Sequence, residues 1–333
     1  MKTFSAITLI TCALSSLVAA APASSSAPSV TSARGGSSLY GITYNPKNSD
    51  GSCMSQANVS KDISNFKKNG ILNIRTYAQE CNQLDQILNG IASAGGGMTV
   101  VAAVWVDSKH IHKGCRIIST IHVSYISPPP HLTSGSASDY QTEVSTLTST
   151  LGSNKNAKAY VSGIIVGNEV LYNKVLSASD LAGKIKDVKS KAKGIAVGTA
   201  ETPSTFDPAI ISSSDFLVAN IHPFFGEVAA SSAASNLQQQ FNSLKGKMNG
   251  KKLIVGETGW PTAGNSNGAA VPSVKNLQTF VQQIQCVDKT MEYYFFDSYD
   301  SPWKTPGNLN VEQHWGIWQA NGASKGINLK ASC

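Results

Sequence analysis

From Leu39 onward the chain alternates between short apolar runs and longer amphipathic stretches, and few folds can use that rhythm. The runs are residues 39–45, 71–78, 98–106, 161–169, 195–201, 215–225, 252–260 and 291–299. Most are continuously apolar rather than alternating, as in a parallel sheet covered on both faces. Between them, apolar residues recur at helical spacing. Ile63 and Phe66 do so in 59–69, and Leu84, Ile87, Leu88 and Ile91 in 82–94. Residues 139–151, 178–192, 234–248 and 274–285 are the other helix candidates. Asp180 and Ser273 are candidate helix caps. Gly70, Gly95, Gly194 and Gly250 stand between a helix and the next strand, where a left-handed residue is wanted. The expected fold is α/β, a single-domain (β/α)8 TIM barrel over residues 39–333. An open doubly wound sheet is the alternative, but no Gly-x-Gly-x-x-Gly follows the first strand. Beyond Gln313 the chain reads as loop and short turns.

Residues 1–20 read as a signal peptide: Lys2, an apolar segment from Phe4 to Val18, then small residues at Val18-Ala19-Ala20. That segment is too short for a membrane span, and no other reaches spanning length. The C-terminus lacks the hydrophobic tail of a lipid anchor. Residues 21–38, rich in Ala, Ser and Pro, are expected to form a flexible leader. The product is expected to be secreted, extracellular or in a cell wall. Asn58-Val59-Ser60 is a glycosylation candidate.

Cysteine usage fits export. With Cys12 in the signal and Cys115 in an anomalous stretch, four remain, which allow three pairings. Cys53–Cys81 and Cys286–Cys333 are expected, because each pair joins nearby parts of the barrel. The net charge of +7 is modest, and lysines gather on the 184–193 helix face rather than in a groove-like motif. Nucleic acid is therefore not an expected partner, whereas weak attraction to an acidic wall matrix is allowed.

Ser108 to about Ser134 breaks the rhythm, with neither helical nor strand periodicity. It holds Cys115, Ile117-Ile118, Tyr125-Ile126 and three consecutive prolines. Structureless loops of this length are uncommon inside compact domains. The preferred explanation is an intron translated as coding sequence. Otherwise it is an insertion over the barrel mouth. His110, His112 and His122 lack the carboxylates and spacing of a metal site, and neither metal nor cofactor is expected.

Two apolar runs end alike: Val166-Gly167-Asn168-Glu169 and Val255-Gly256-Glu257-Thr258-Gly259-Trp260-Pro261-Thr262. A Glu closing a buried strand is costly to desolvate unless it pairs, binds or reacts. Barrel active sites lie at the C-terminal ends of the strands, so Glu169 on strand 4 and Glu257 on strand 7 should face one mouth. Two such carboxylates suit glycosidic bond cleavage. A gap of about 5 Å gives retention through a covalent intermediate, and about 6.5–9.5 Å gives inversion. For Arg75, holding Glu257 ionised and a purely structural ion pair are both open. Aromatic strand ends would form sugar platforms, with Trp260 first and Tyr44, Tyr77, Phe224, Phe225 and Tyr299 behind it. Phe295 and Phe296 are expected in the core.

These two Glu motifs, with Gly41-Ile42-Thr43-Tyr44, Ile74-Arg75-Thr76-Tyr77 and Asn220-Ile221-His222-Pro223-Phe224-Phe225, resemble glycoside hydrolase family 17. The fungal cell-wall β-1,3-glucanase and glucanosyltransferase branch is the closest match. Outside 108–134 the resemblance runs from about Leu39 to Cys333. It implies a retaining glycosidase acting on β-1,3-glucan, with Glu169 as acid/base and Glu257 as nucleophile. Asn168 is then placed to bond the sugar 2-hydroxyl and the nucleophile. Related barrels often carry Tyr where His222 stands, leaving His222 to donate to Glu257 or merely pack. Glucan transfer, or a dead glucan-binding wall protein, are the alternatives. A monomer is expected.

Overall fold

The structure, a computed structural model, describes residues 38–107, 140–330 and 333. The signal and leader segments, apart from Ser38, and the 108–134 stretch with its histidines and Cys115, lie outside the described residues. Eight strands close into a barrel: β1 (Gly41–Thr43), β2 (Asn73–Arg75), β3 (Thr99–Val104), β4 (Val161–Asn168), β5 (Val197–Glu201), β6 (Phe216–Asn220), β7 (Lys252–Thr258) and β8 (Tyr293–Phe295). Each pairs in parallel with its sequence neighbours, and β8 returns to β1. The (β/α)8 expectation holds. Every strand is shorter than the apolar run that announced it, because the ends of the runs continue into loops.

The helices are α1 (Gln56–Lys68), α2 (Gln83–Ser93), α3 (Tyr140–Ser153), α4 (Ala157–Tyr160), α5 (Ala178–Lys191), α6 (Pro208–Ser213), α7 (Ala230–Lys245) and α8 (Val274–Ile284). Two of them, α4 and α6, were not expected, since neither is long enough to show a period. Local chemistry starts α6: Asp207 accepts from the Ala209 amide, and Pro208 stands in the first turn. Ser273 caps α8 as expected, accepting from Asn276 N at 3.1 Å. Asp180 does not cap α5. Ser177 does, accepting from Asp180 N at 3.2 Å while its hydroxyl donates to the Asp180 carboxylate at 2.6 Å. The backbone is left-handed at Gly70, Gly95, Gly194 and Gly250.

Two apolar clusters hold the barrel. The larger lies between strands and helices, including Ile63 and Phe66 of α1 and Leu84, Ile87, Leu88 and Ile91 of α2. The smaller fills the barrel interior with Val101, Ala103, Ile165, Ala200, Phe216, Val218, Ile254 and Tyr294. Above that plug the interior turns polar, and there the site is built. Both expected disulfides are present, each with a Cα–Cα distance of 5.5 Å. Cys53–Cys81 ties the loop after β1 to the turn after β2, and Cys286–Cys333 ties the residues after α8 to the final residue. Among the described residues no helix is long and apolar enough to cross a membrane.

Candidate active site

The sequence turns both glutamates into the mouth by the same local means. Between Ile165 and Asn168, β4 advances three residues while β5 advances two, from Gly198 to Ala200. Between Val255 and Glu257, β7 advances two while β6 advances one. Each is a bulge, which re-aims the next side chain. A glycine sits at each. Gly167 has φ +75°, and a Cβ there would meet Val170 Cγ2 at 2.4 Å. At Gly256 a Cβ would meet Val218 Cγ1 at 2.3 Å and the Arg75 guanidinium at 2.6 Å. Gly256 is thus the space into which Arg75 inserts. Glu169 itself is left-handed at φ 55°, held by a bond from its amide to Ala200 O at 2.8 Å.

Arg75, at the end of β2, is 1% exposed and reaches across the barrel. Its guanidinium donates to Glu257 Oε1 at 3.1 Å, Asn220 Oδ1 at 3.1 Å and Asn168 Oδ1 at 2.7 Å. Its plane lies over the Tyr77 ring at 4.9 Å. Asn220 Nδ2 donates to Glu169 Oε1 at 2.9 Å and Asn168 Oδ1 at 3.0 Å. Glu169 and Glu257 therefore belong to one hydrogen-bonded network, joined through Asn220 and Arg75. The structure brings Glu169, Glu257, Asn168, Arg75, Tyr77 and His222 together at one end of the barrel.

The two carboxylates are not equivalent. Burial alone would push Glu257 up, but the Arg75 charge and then His222 outweigh it and hold the carboxyl below its ordinary value. Tyr77 adds a smaller push in that direction, although its hydroxyl makes no bond of good geometry. Glu169 goes the other way. Burial raises it first and the Glu257 charge next, with the Asn220 bond a partial offset. Among the described residues no cation bonds to it, and His222 offsets the rise a little further from a distance.

His222 Nε2 stands 3.3 Å from Glu257 Oε2, and Nδ1 is buried with no partner among the described residues. A proton on Nε2 gives Glu257 a donor and leaves Nδ1 an acceptor, the tautomer this geometry selects. His222 is enclosed by Phe225, Phe296 and Trp315 at ring distances of 5.1–5.9 Å. His222 is thus packed among rings and also within hydrogen-bond reach of Glu257, so it does not merely pack. Asn168 uses Oδ1 to join Arg75 and Asn220, and its expected bond to Glu257 is not formed.

Four expected sugar platforms are corrected. Trp260 is fully buried, its indole N–H donates to Val271 O at 2.9 Å, and its ring packs against Phe224 and Phe280. Tyr44 is fully buried, and its hydroxyl donates to Asp62 at 2.7 Å. Tyr299 donates to the other Asp62 oxygen at 2.8 Å and stacks among Tyr44, Phe66 and Trp318. Phe224 is buried too, and Phe295 and Phe296 are core as expected. Phe225, 49% exposed at the rim beside His222, keeps an open face, and Tyr77 is half-buried against Arg75.

The sequence reading missed Asp297 and Trp315. Asp297 is buried, accepts from Thr43 Oγ1 at 2.9 Å, and stands 3.6 Å from Lys304. Trp315 is buried in the C-terminal loop, where no periodicity marks it.

Residues 41–128 and 130–316 match the BtgE/BtgC glycoside hydrolase domain. The chain belongs to this family. A probable beta-glucosidase btgE of Aspergillus terreus is 32% identical over 291 residues, covering 84% of this chain and 46% of that protein. A relative from Neosartorya fischeri, of the same name, is also 32% identical, over 83% and 45%. This BtgE/BtgC-type chain thus spans about half the length of the curated relatives it matches. A crystal structure of a family 17 β-1,3-glucanosyltransferase from Rhizomucor miehei aligns with TM-score 0.72 and 27% identity, over 89% of this chain and 98% of that one. An endo-laminarinase from Formosa, at 18% identity and TM-score 0.66, shares the fold.

Proposed function

We propose that this domain cleaves β-1,3-linked glucan with retention, Glu169 serving as acid/base and Glu257 as nucleophile. The observation that carries the reading is one hydrogen-bonded network that holds two carboxyls in opposite surroundings: Glu257 is bonded by the Arg75 guanidinium and reached by His222, and Glu169 is bonded by the neutral Asn220 amide. Glycosidic cleavage needs that division of labour, and retention rests on the likeness to family 17. Glu169 protonates the leaving oxygen while Glu257 attacks the anomeric carbon, giving a glycosyl ester. Once esterified, Glu257 no longer charges Glu169, so Glu169 gives up its proton more readily and serves as base for the incoming hydroxyl. Arg75 and His222 then take back the carboxylate as the ester breaks. Among the described residues Asn168 Nδ2 has no acceptor, which leaves it free for the 2-hydroxyl of the bound sugar, a bond that strengthens in the transition state.

Substrate class rests on likeness. The Rhizomucor protein is a β-1,3-glucanosyltransferase, and the curated relatives are named beta-glucosidases. Water and a sugar hydroxyl attack the same intermediate, so hydrolysis and transfer share every residue above. An intact, oppositely tuned pair disfavours a dead glucan-binding protein. Two disulfides and the sequence of residues 1–20 support secretion to a wall or the medium, where such a glucan is met. Incubating the protein with a defined laminari-oligosaccharide, and sizing products while following their anomeric configuration, tests the reading. Retained β-products are expected, and products longer than the substrate identify transfer. An α-configured first product or no cleavage removes the proposal.

A further inference from the structure

Directly after Ala200, the residue that receives the Glu169 amide, comes Glu201, the last residue of β5. It is fully buried and faces neither solvent nor a cation among its bonded partners. Its Oε1 accepts from Leu171 N at 2.8 Å, and its Oε2 from Tyr172 N at 3.3 Å and Thr205 Oγ1 at 2.9 Å. The first two donors belong to a single helical turn that begins at Glu169. Asn173 closes that turn on Glu169 O through both its amide and its side chain, each at 2.9 Å, and Val175 N closes on Val170 O at 2.8 Å. The turn's free amides point back at Glu201, as the first amides of a helix need an acceptor. A buried carboxylate that only accepts is expensive unless its bonds are used, and here two converge on the turn after β4 while the third, from Thr205, steadies the carboxylate from the loop after β5.

We propose that Glu201 is a positioning residue for the acid/base: it clasps the turn after β4 and so holds Glu169 in its left-handed geometry over the mouth. This rests on the role given to Glu169 above. The clasp explains why a non-glycine residue at φ 55° persists at a strand end. β5 supplies two holds on adjacent links, Ala200 O on the Glu169 amide and the Glu201 carboxylate on the amides two and three residues later. Titratable groups facing Glu169 are Glu257 from β7, His222 after β6 and Glu201 from β5.

The test compares Glu201→Gln with Glu169→Ala on two substrates, laminaritetraose and 2,4-dinitrophenyl β-laminaribioside. The second carries a leaving group that departs without protonation. Gln at 201 keeps the shape but offers one carbonyl acceptor to three donors. Its kcat/KM on the oligosaccharide should fall about 10- to 100-fold, the scale of a small displacement of a catalytic group. On the activated substrate glycosylation should stay within about threefold of wild type, because only acid catalysis is impaired. Loss of the Glu201 charge should also move the basic limb of the oligosaccharide profile to lower pH. Thr205→Val, which removes one donor at a half-buried site, should give a weaker form of the same split and serves if Glu201→Gln does not fold. Equal losses on both substrates, or none, would overturn the clasp. If Glu169→Ala itself lacks the leaving-group split, the acid/base assignment falls and the clasp with it. If Glu169→Ala shows it and the Glu201 and Thr205 variants do not, the clasp alone falls.

Discussion

Glu169 and Glu257 leave their strands through the same device, a glycine at a bulge, and arrive in opposite surroundings. Glu257 meets a guanidinium buried to 1% exposure and an imidazole, both donating to it. Glu169 meets one neutral amide, Asn220, and the field of another carboxylate. The lesson is that strand-end geometry places an acid, while the residues contributed by other strands decide what it does. Arg75 comes from β2 and His222 from beyond β6, far from Glu257 in sequence. The side chain that separates the two acids, Asn220, bonds to both halves of the network.

Removing the charge at each position tests the contrast most severely. Glu257→Gln should lower turnover about 10^4- to 10^6-fold, the scale for loss of a catalytic nucleophile. It should also destabilise the protein by about 3 kcal/mol, because Arg75 is left as an unmatched buried cation. Glu257 is held below its ordinary value, so its stabilising contribution is present above that value and is lost as pH falls through the folded-state value. The stability gap between wild type and variant should therefore narrow in acid. Denaturant titrations at neutral and acid pH measure it.

Glu169→Gln should lower kcat/KM on oligosaccharides about 10^2- to 10^4-fold, the range for a lost general acid. Its stability should change with the opposite sign. The folded state raises Glu169, so that group's favourable contribution is present in acid and is lost as pH rises through the folded value. At neutral pH the neutral amide relieves that penalty, and the variant should be more stable by no more than about 1 kcal/mol. At acid pH the gain should vanish. Two glutamine variants that shift stability in the same direction would erase the contrast.

The shared device can be broken on one side only. In Gly256→Ala the new methyl group would collide with Val218 and with the Arg75 guanidinium. Overpacking of this kind costs about 1–3 kcal/mol. Displacing Arg75 should also cost about 10- to 100-fold in kcat/KM and raise the acid limb of the pH profile, since Glu257 loses its main support. A crystal structure of the variant with Arg75 undisplaced, together with an unmoved acid limb, would separate the glycine from the charge.

Much of this was legible in the chain because it rests on local pattern. The apolar runs gave the eight strands, and the repeated Gly-then-Glu endings gave both acids. Arg75 and His222 were legible only through motifs, since nothing near them in sequence says what they touch. The aromatics failed for a physical reason. A Trp or Tyr at a strand end can turn outward to the mouth or inward beneath the loops, and one sequence does not choose. Trp260 turned inward because Phe224 and Phe280 enclose it and Val271 O takes its N–H. Tyr44 and Tyr299 did so because Asp62, on α1, accepts from both hydroxyls. Glu201 left little signal because two of its three partners are backbone amides, which leave no trace in side-chain pattern.

The mildest test concerns His222. It lends Glu257 one hydrogen bond at 3.3 Å, longer than any from Arg75, within a wall of rings. His222→Phe keeps the wall and removes the donor. Glu257 should then bind its proton more tightly, so the acid limb of kcat/KM should move to higher pH, with about a tenfold loss at acid pH and little change near neutrality, as expected for the loss of a hydrogen bond of about 1–1.5 kcal/mol. His222→Tyr restores a donor and should restore the limb. The basic limb, which belongs to Glu169, should move less than the acid limb in His222→Phe, because Arg75 keeps Glu257 charged and His222 only partly offsets the rise of Glu169. If the basic limb moves as far as the acid limb, the two carboxyls titrate as one coupled unit. The division of roles drawn from their separate surroundings would then give way to a pair sharing its protons.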